Sequence, residues 1–284
     1  MIGSRFLHVV AVTAALGLCL SDGGAARTGQ GRPGVLLEDL TWVEADRVLK
    51  RDAVVVIPIG AEAKEHGPHL KLKTDFILAE YLKRKVAERS AVVVAPTVNY
   101  CFYPSFVEYP GSTTLSLGTA RDLLIEICRS LARYGPRRFY AINTGVSTLR
   151  ALEPAARTLS AEGIVLRYTN ILAITQEVER AVGQQEGGTH ADEIETSMML
   201  YVDPASVDMK KAVKDYHPGG EGGLTRDPKG RGTYSPTGIW GDPTLATREK
   251  GRKVVEALVE GVLREIEALR TLSLPEPQAS RLRH

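Results

Sequence analysis

The chain of 284 residues is poor in cysteine, with three in all and no two spaced as CxxC. That excludes a disulfide-built scaffold and a zinc ribbon. It lacks an excess of either charge: 36 Lys and Arg face 34 Asp and Glu, for a formal +2. No basic stripe runs through the body, which argues against nucleic acid as the main partner. No apolar run of about 18 residues occurs beyond the N-terminus, so the body has no candidate membrane span. Internal repeats are also missing. What is present is ordinary for a globular protein: 43% hydrophobic and 25% charged residues, and enough length to bury one large core.

The first residues read as an address. Arg5 supplies a positive start, Phe6 to Leu20 is mostly apolar, and Gly24-Ala25-Ala26 offers small residues for cleavage. Residues 1–26 are therefore expected to be a signal peptide, and residues 27–284 a single domain with its core at about 40–270, secreted or periplasmic. Lipoprotein anchoring at Cys19 ranks lower because the preceding Leu18 is large. In an oxidising compartment Cys101 and Cys128 could pair. Cys128 falls on an apolar helical face, which favours a buried free thiol.

The body alternates strand and helix patterns. Thr41-Trp42-Val43-Glu44 fits a capping box. Val54 to Ile57, Val92 to Val94, Phe139 to Ile142 and Ile164 to Tyr168 are short apolar runs, as expected of strands buried on both faces. Helical spacing links Ile77, Leu78, Tyr81, Leu82 and Val86, then Leu123, Leu124, Ile127 and Leu131, then Leu149 to Leu159. Further helices are read at Thr175 to Val182, Glu193 to Tyr201 and Leu245 to Leu269. Such alternation predicts an α/β fold with a mostly parallel central sheet and right-handed crossovers. Gly219 to Gly241 has no periodicity and reads as a long loop.

Ligands in open α/β sheets bind beyond the carboxyl ends of strands. Three segments there carry chemistry: Gly60 to Leu70 with Asp75, Asn143 to Ser147, and Gly187 to Ser197. The first and third combine imidazole with carboxylate, the donor set of Zn²⁺ or Mn²⁺. Taken singly, a His beside Gly-Pro is an ordinary surface residue and an Asp heading a helix an ordinary cap. Glu193 and Glu195 are two apart and cannot share one helical face, so at most one of them points at any given site.

Together these segments resemble the creatininase (creatinine amidohydrolase) family from about Leu40 to Leu269. The family's G-x-x-E-x-H-G-P-H-L and T-D are read at Gly60 to Leu70 and Thr74-Asp75. F-P-G-T resembles Tyr109 to Ser112, H-A-G-E-x-E-T-S resembles His190 to Ser197, and G-D-P-x-x-A-T-x-x-K-G matches Gly241 to Gly251. The resemblance implies a three-layer α/β sandwich and a homo-oligomer, often a hexamer. It implies metal-dependent hydrolysis of an amide-type C–N bond in a small cyclic or formylamino compound, with two adjacent divalent ions.

The departures are as informative. Lys64 stands where the family carries its first metal-binding Glu, and Gly145 where it carries a metal-binding His, leaving space without a donor. A Glu-His pair is missing near Ser105 and Phe106. The resemblance leaves His66, Asp75 and Glu193 as ligands of one divalent ion, Zn or Mn, per subunit. His190 is the proton carrier, with Glu193 as ligand or base. Lys64 becomes a fixed cation beside Asp75 that stands in for the second ion. The expectation is a single-metal amidohydrolase acting on a small molecule. The alternatives are a ligand-binding protein on the same scaffold with a degenerate metal site, and a metal-free enzyme that uses the Lys64 amine.

Overall fold

A computed structural model describes residues 33–219 and 222–277. The signal-peptide and Cys19 readings fall outside these residues. In chain order the elements are β1 (Val35–Leu36), α1 (Trp42–Val48), β2 (Val54–Ile59), α2 (Thr74–Arg89), β3 (Val93–Val94), α3 (Leu117–Ala132), β4 (Arg138–Asn143), α4 (Leu149–Ser160), β5 (Val165–Tyr168), α5 (Ile171–Val182), α6 (Glu193–Val202), β6 (Leu224–Thr225), β7 (Thr233–Tyr234) and α7 (Arg248–Thr271). The first five strands form one parallel sheet in the order β1-β3-β2-β4-β5. The strand at β1 was not anticipated. β6 and β7 pair as a small separate parallel sheet inside the segment expected to be all loop.

Alternation along the central strands makes the layers. Val55, Ile57 and Ile59 of β2 and Phe139 and Ala141 of β4 pack on α3 and α4, through Leu124, Cys128, Leu152 and Leu159. The other face, with Val54, Val56, Tyr140 and Ile142, packs on α2 and α7 through Leu82, Val86, Val255 and Leu258. The result is a three-layer α/β sandwich. Cys101 and Cys128 are both buried and free; burial pushes their thiols up to about 11 and about 12. The Thr41 capping box is present in full, with Thr41 N donating to Glu44 Oε2 at 2.8 Å and Glu44 N to Thr41 Oγ1 at 3.4 Å. No described helix is long and apolar enough to cross a membrane.

The strand order also sets the position of the site. From β2 the chain crosses to β3 on one side; from β4 it crosses to β5 on the other. The loops after β2 and β4 therefore leave the sheet in opposite directions and open a crevice between them.

Candidate metal and amide site

The loop after β2 turns back onto the start of α2. Phe76 N donates to Ala61 O at 3.1 Å and Lys64 N to Leu72 O at 3.1 Å. Gly60 permits this approach, since a Cβ there would sit 2.4 Å from Asp75 O. Asp75 is therefore the second residue of α2 with its side chain directed into the crevice, and it makes no cap. The loop delivers Lys64, Glu65, His66 and His69, all buried.

The third segment arrives from the other side. Ala191, between His190 and α6, has φ 47°, the one non-glycine positive φ among the described residues. Asp192 caps α6, its Oδ1 accepting Ile194 N at 3.0 Å and Glu195 N at 2.9 Å. Glu195 folds back over this turn, and its Oε2 accepts Ala191 N at 2.6 Å.

These elements bring Lys64, Glu65, His66, Asp75, His190 and Glu195 together. Lys64 Nζ lies 2.7 Å from Asp75 Oδ2. His66 Nε2 lies 3.0 Å from Asp75 Oδ1 and 3.4 Å from Glu195 Oε1. His190 Nε2 lies 2.7 Å from Glu65 Oε1, and its Nδ1 lies 3.6 Å from Glu195 Oε2. Phe106 stands over both halves, 4.7 Å from Lys64 Nζ and 4.3 Å from the His190 ring by centroid.

Glu193 is not part of this group, which corrects the expected ligand set. It is fully buried on the opposite face of α6, where its Oε2 accepts Gln184 N at 2.8 Å and Gln185 N at 2.7 Å. Its Oε1 is paired with Lys250 of α7. Gly251 lets α7 come this close, because a Cβ there would fall 1.8 Å from Ser197 O. Glu195 takes the place that Glu193 was expected to fill. The clue was in the sequence: Asp192 followed three residues later by Glu195 is a capping-box spacing, and such a Glu turns back toward the residues before the helix.

One other expectation changes. The space at Gly145 is not open: a Cβ there would lie 3.1 Å from Thr148 Oγ1 and 3.2 Å from the Tyr103 ring. His69 donates to or accepts from Thr196 Oγ1 at 2.8 Å and is pushed down to about 4 by burial, so it is a neutral buried group. His217 pairs with Asp215 at 3.0 Å, in a different part of the chain from the cluster.

Charge in the cluster is shared closely. Burial and Lys64 disfavour the His66 cation, but Asp75 and Glu195 outweigh them and push it up to about 9. Burial opposes the Lys64 ammonium, yet Asp75 and Glu195 raise it. Burial opposes all three carboxylates; Lys64 and His66 hold Asp75 down, His190 holds Glu65 down, and His66 and His190 hold Glu195 down. Without an ion, two cations thus face three carboxylates, with His190 between two of them.

The donor set fits one divalent ion. His66 Nδ1 is tied to Lys64 O at 2.9 Å and His190 Nε2 to Glu65 Oε1 at 2.7 Å. A metal-binding imidazole commonly donates its far N–H in this way, which fixes the tautomer and frees the other nitrogen. His66 Nε2 and His190 Nδ1 both face the Glu195 carboxylate, His66 Nε2 also meeting Asp75 Oδ1 at 3.0 Å, and single donor atoms of the three residues lie within 4.8 Å of one another. The approaches to Glu195 are to its two different oxygens, 3.4 Å from His66 to Oε1 and 3.6 Å from His190 to Oε2. Asp75, expected as a ligand, is outside this triad: its carboxylate meets Lys64 Nζ at 2.7 Å and His66 Nε2 at 3.0 Å. The cluster opens into a cavity of ≈ 580 Å³ lined by, among others, Lys64, Tyr103, Phe106, Glu179, His190 and Trp240.

The fold and site define the class: a three-layer α/β sandwich with an imidazole–carboxylate centre at the carboxyl edge of a parallel sheet. A family model for creatinine amidohydrolases matches residues 38–266, and the chain belongs to that family. It is 28% identical over 247 residues to the creatinine amidohydrolase of Pseudomonas putida, covering 80% of this chain and 94% of the relative. It is 29% identical over 222 residues to the mycofactocin precursor peptide peptidase of Mycobacterium ulcerans, covering 75% and 84%. A solved manganese form of creatininase superposes with a TM-score of 0.70 at 26% identity, covering 84% of this chain and all (100%) of that one. The family are hydrolases of amide-type C–N bonds, as these relatives are.

Proposed function

We propose that this chain is an amidohydrolase of a small amide, cyclic or formylamino, working with one divalent ion held by His66, His190 and Glu195. The observation that carries the reading is the convergence of donor atoms of His66, His190 and Glu195 to within 4.8 Å, with the far nitrogen of each imidazole tethered. Three protein donors with an open position is the pattern of a catalytic metal. When bound, such an ion lowers the pKa of a water and polarises a carbonyl.

The chain's own residues do the rest. Glu65 holds the His190 ring in place and accepts its Nε2–H. Asp75 fixes Lys64, whose ammonium has one carboxylate partner and N–H groups left over on the cavity side. Lys64 then donates to the substrate oxygen, where the missing second ion would have drawn charge. Phe106 covers the pair and keeps water from the Lys64 ammonium. His190 serves as a metal donor in this arrangement rather than as the expected proton carrier, since Glu65 holds its Nε2 and its Nδ1 is left toward Glu195.

A second reading has its own support. The Lys64–Asp75 pair and the His66 cation nearly balance the carboxylates without an ion, as a ligand-binding protein without chemistry would require. Metal analysis of purified protein beside hydrolysis of a panel of small amides separates the two. About one zinc or manganese per protomer, with turnover lost to chelator and restored by metal, supports the hydrolase; metal-free protein that binds but never turns over an amide defeats it. We also propose export and self-association: secreted material beginning near Arg27 and a mass above the monomer are the expected results.

A further inference from the structure

The cavity carries one acidic group that the chemistry above does not use. Glu179 lies on α5, in the wall of the same cavity as Lys64 and His190. Its Oε1 is 2.5 Å from Thr175 Oγ1, and that hydroxyl is also 2.6 Å from Ile171 O. A threonine hydroxyl has one proton. If Glu179 were ionised, both neighbours would be acceptors, and one of these two short contacts would join bare oxygens. If Glu179 is the acid, the chain closes: Glu179 O–H donates to Thr175, and Thr175 donates to Ile171 O. Both lengths suit O–H···O bonds.

The surroundings agree. No Lys or Arg pairs with Glu179 among the described residues, and Arg180, next to it on α5, lines the cavity without engaging it. Asp192 is buried on the same cavity wall, bonded to Ile194 N, Glu195 N and Gln185 Nε2. Burial raises the Glu179 carboxyl, against the bond from Thr175. The one side-chain hydrogen bond of Glu179 among the described residues runs through Oε1, and Glu179 lines the cavity.

We propose that Glu179, kept as a carboxylic acid, is a specificity residue of this cavity: its Oε2 accepts a hydrogen bond from a neutral N–H or O–H of the substrate, and the site disfavours a cationic group. A cation would draw the proton from Glu179 and leave Thr175 with two acceptors for one proton. The substrate class is thus a neutral amide with a second N–H or O–H donor remote from the scissile bond. The proposal rests on the reading of this cavity as an amide site, but its test does not depend on metal.

Three rings of one size serve as probes with the full chain: hydantoin, which is neutral with N–H donors; 1,3-dimethylhydantoin, which has none; and 2-aminoimidazolinium, a cation. Binding is followed by calorimetry for wild type, Glu179→Gln and Glu179→Ala. Glutamine reproduces the acid, with an N–H for Thr175 and a carbonyl for the ligand. Hydantoin should bind wild type and Glu179→Gln within about twofold, and Glu179→Ala about fivefold more weakly, the effect of one neutral hydrogen bond. Dimethylhydantoin should lose about the same factor on wild type. Infrared difference spectra of wild type against Glu179→Gln at pH 7 should show a protonated-carboxyl band. No such band, hydantoin left unbound, or a preference for the cation that Glu179→Gln abolishes would each overturn the proposal. Metal content of the same preparations is read separately: metal-free protein with the expected binding pattern sinks the metal reading and leaves Glu179 standing, and the reverse result does the opposite.

Discussion

The two halves of the site treat charge in opposite ways. On one side Lys64 and Asp75 close on each other at 2.7 Å, both buried. On the other, His66 and His190 approach the two oxygens of Glu195 at 3.4 and 3.6 Å, longer than good hydrogen bonds, and donor atoms of the three converge to within 4.8 Å. A buried carboxylate needs a cation, and a protein can supply one as a side chain or as a metal. This chain uses the first solution beside Asp75 and keeps the donors for the second beside Glu195. A built-in charge and a set of loadable donors thus stand side by side in one cluster.

The largest effect should come from removing the shared carboxylate of the loadable half. Glu195→Gln is expected to abolish stoichiometric metal and lower amide turnover by more than about 100-fold, beyond what loss of a ligand's hydrogen-bond partner causes. Glu193→Gln is the matched control two residues away. It should keep the metal but destabilise the fold, because it disturbs the buried pair with Lys250. Metal analysis and thermal melts on the two variants tell them apart. Loss of metal in Glu193→Gln alone would reverse the assignment of the two carboxylates.

Next comes the built-in half. Lys64→Met leaves Asp75 buried without its ammonium and should cost about 3–5 kcal/mol in denaturant melts of metal-free protein. Making the halves alike again is harder than the family pattern suggests. Lys64→Glu with Gly145→His restores the donors, but the Tyr103 ring and Thr148 occupy the space at position 145. The double variant is expected to stay at or below one ion per protomer, and adding Tyr103→Ala should raise the count. Two ions in the double variant without that third change would show that Tyr103 yields readily.

A moderate effect concerns pH. In metal-free protein the His66 cation is held up to about 9. Its contribution to stability is complete below its unfolded value of ~6.5 and fades as pH rises through about 9. Asp75 and Glu195 are held down, so their contribution is complete above the usual carboxylate range and fades as pH falls below it. Melting temperature should therefore peak between about pH 5 and 7. A bound ion takes neutral imidazole, so metal affinity should climb with pH toward about 9, and the alkaline loss of stability should vanish in loaded protein. An unchanged alkaline slope with metal bound would remove His66 from the ligand set.

Much of this was legible in the sequence and some was not, for identifiable reasons. The buried strands β2 and β4 announced themselves as apolar runs because both their faces are covered. The two-residue β1 did not, since Val35-Leu36 carries no periodicity of its own and pairs with β3 only through tertiary contact. The His-rich loop was read as a site, and Lys64 was expected beside Asp75; the fold brings them together. Choosing between Glu193 and Glu195 required knowing which way the first turn of α6 faces, and that depends on α7 offering Lys250 to one of them. The filling of the Gly145 space by Tyr103 joins residues 42 positions apart on different loops, and no local pattern carries that.

The smallest expected effect sharpens what burial does. Arg252 on α7 makes two ion pairs, to Glu249 and Glu256, each at 2.7 Å, the same separation as Lys64 to Asp75. Distance alone would rank Arg252 above Lys64. The Arg252 pairs are exposed, with side chains 40–60% accessible, whereas those of Lys64 and Asp75 are 6% and 2% accessible. Water and salt screen the former, and holding long side chains in place costs entropy. Arg252→Ala should therefore leave the melting temperature within the reproducibility of the measurement, at low and at high salt alike. Lys64→Met measured side by side should lower it clearly, and added salt should not restore it, because the ammonium it removes is shielded from solvent by Phe106 and Tyr103. Equal shifts in the two variants would mean that the Lys64–Asp75 pair is open to water in solution, and the division of the site into a built-in and a loadable charge would fall with it.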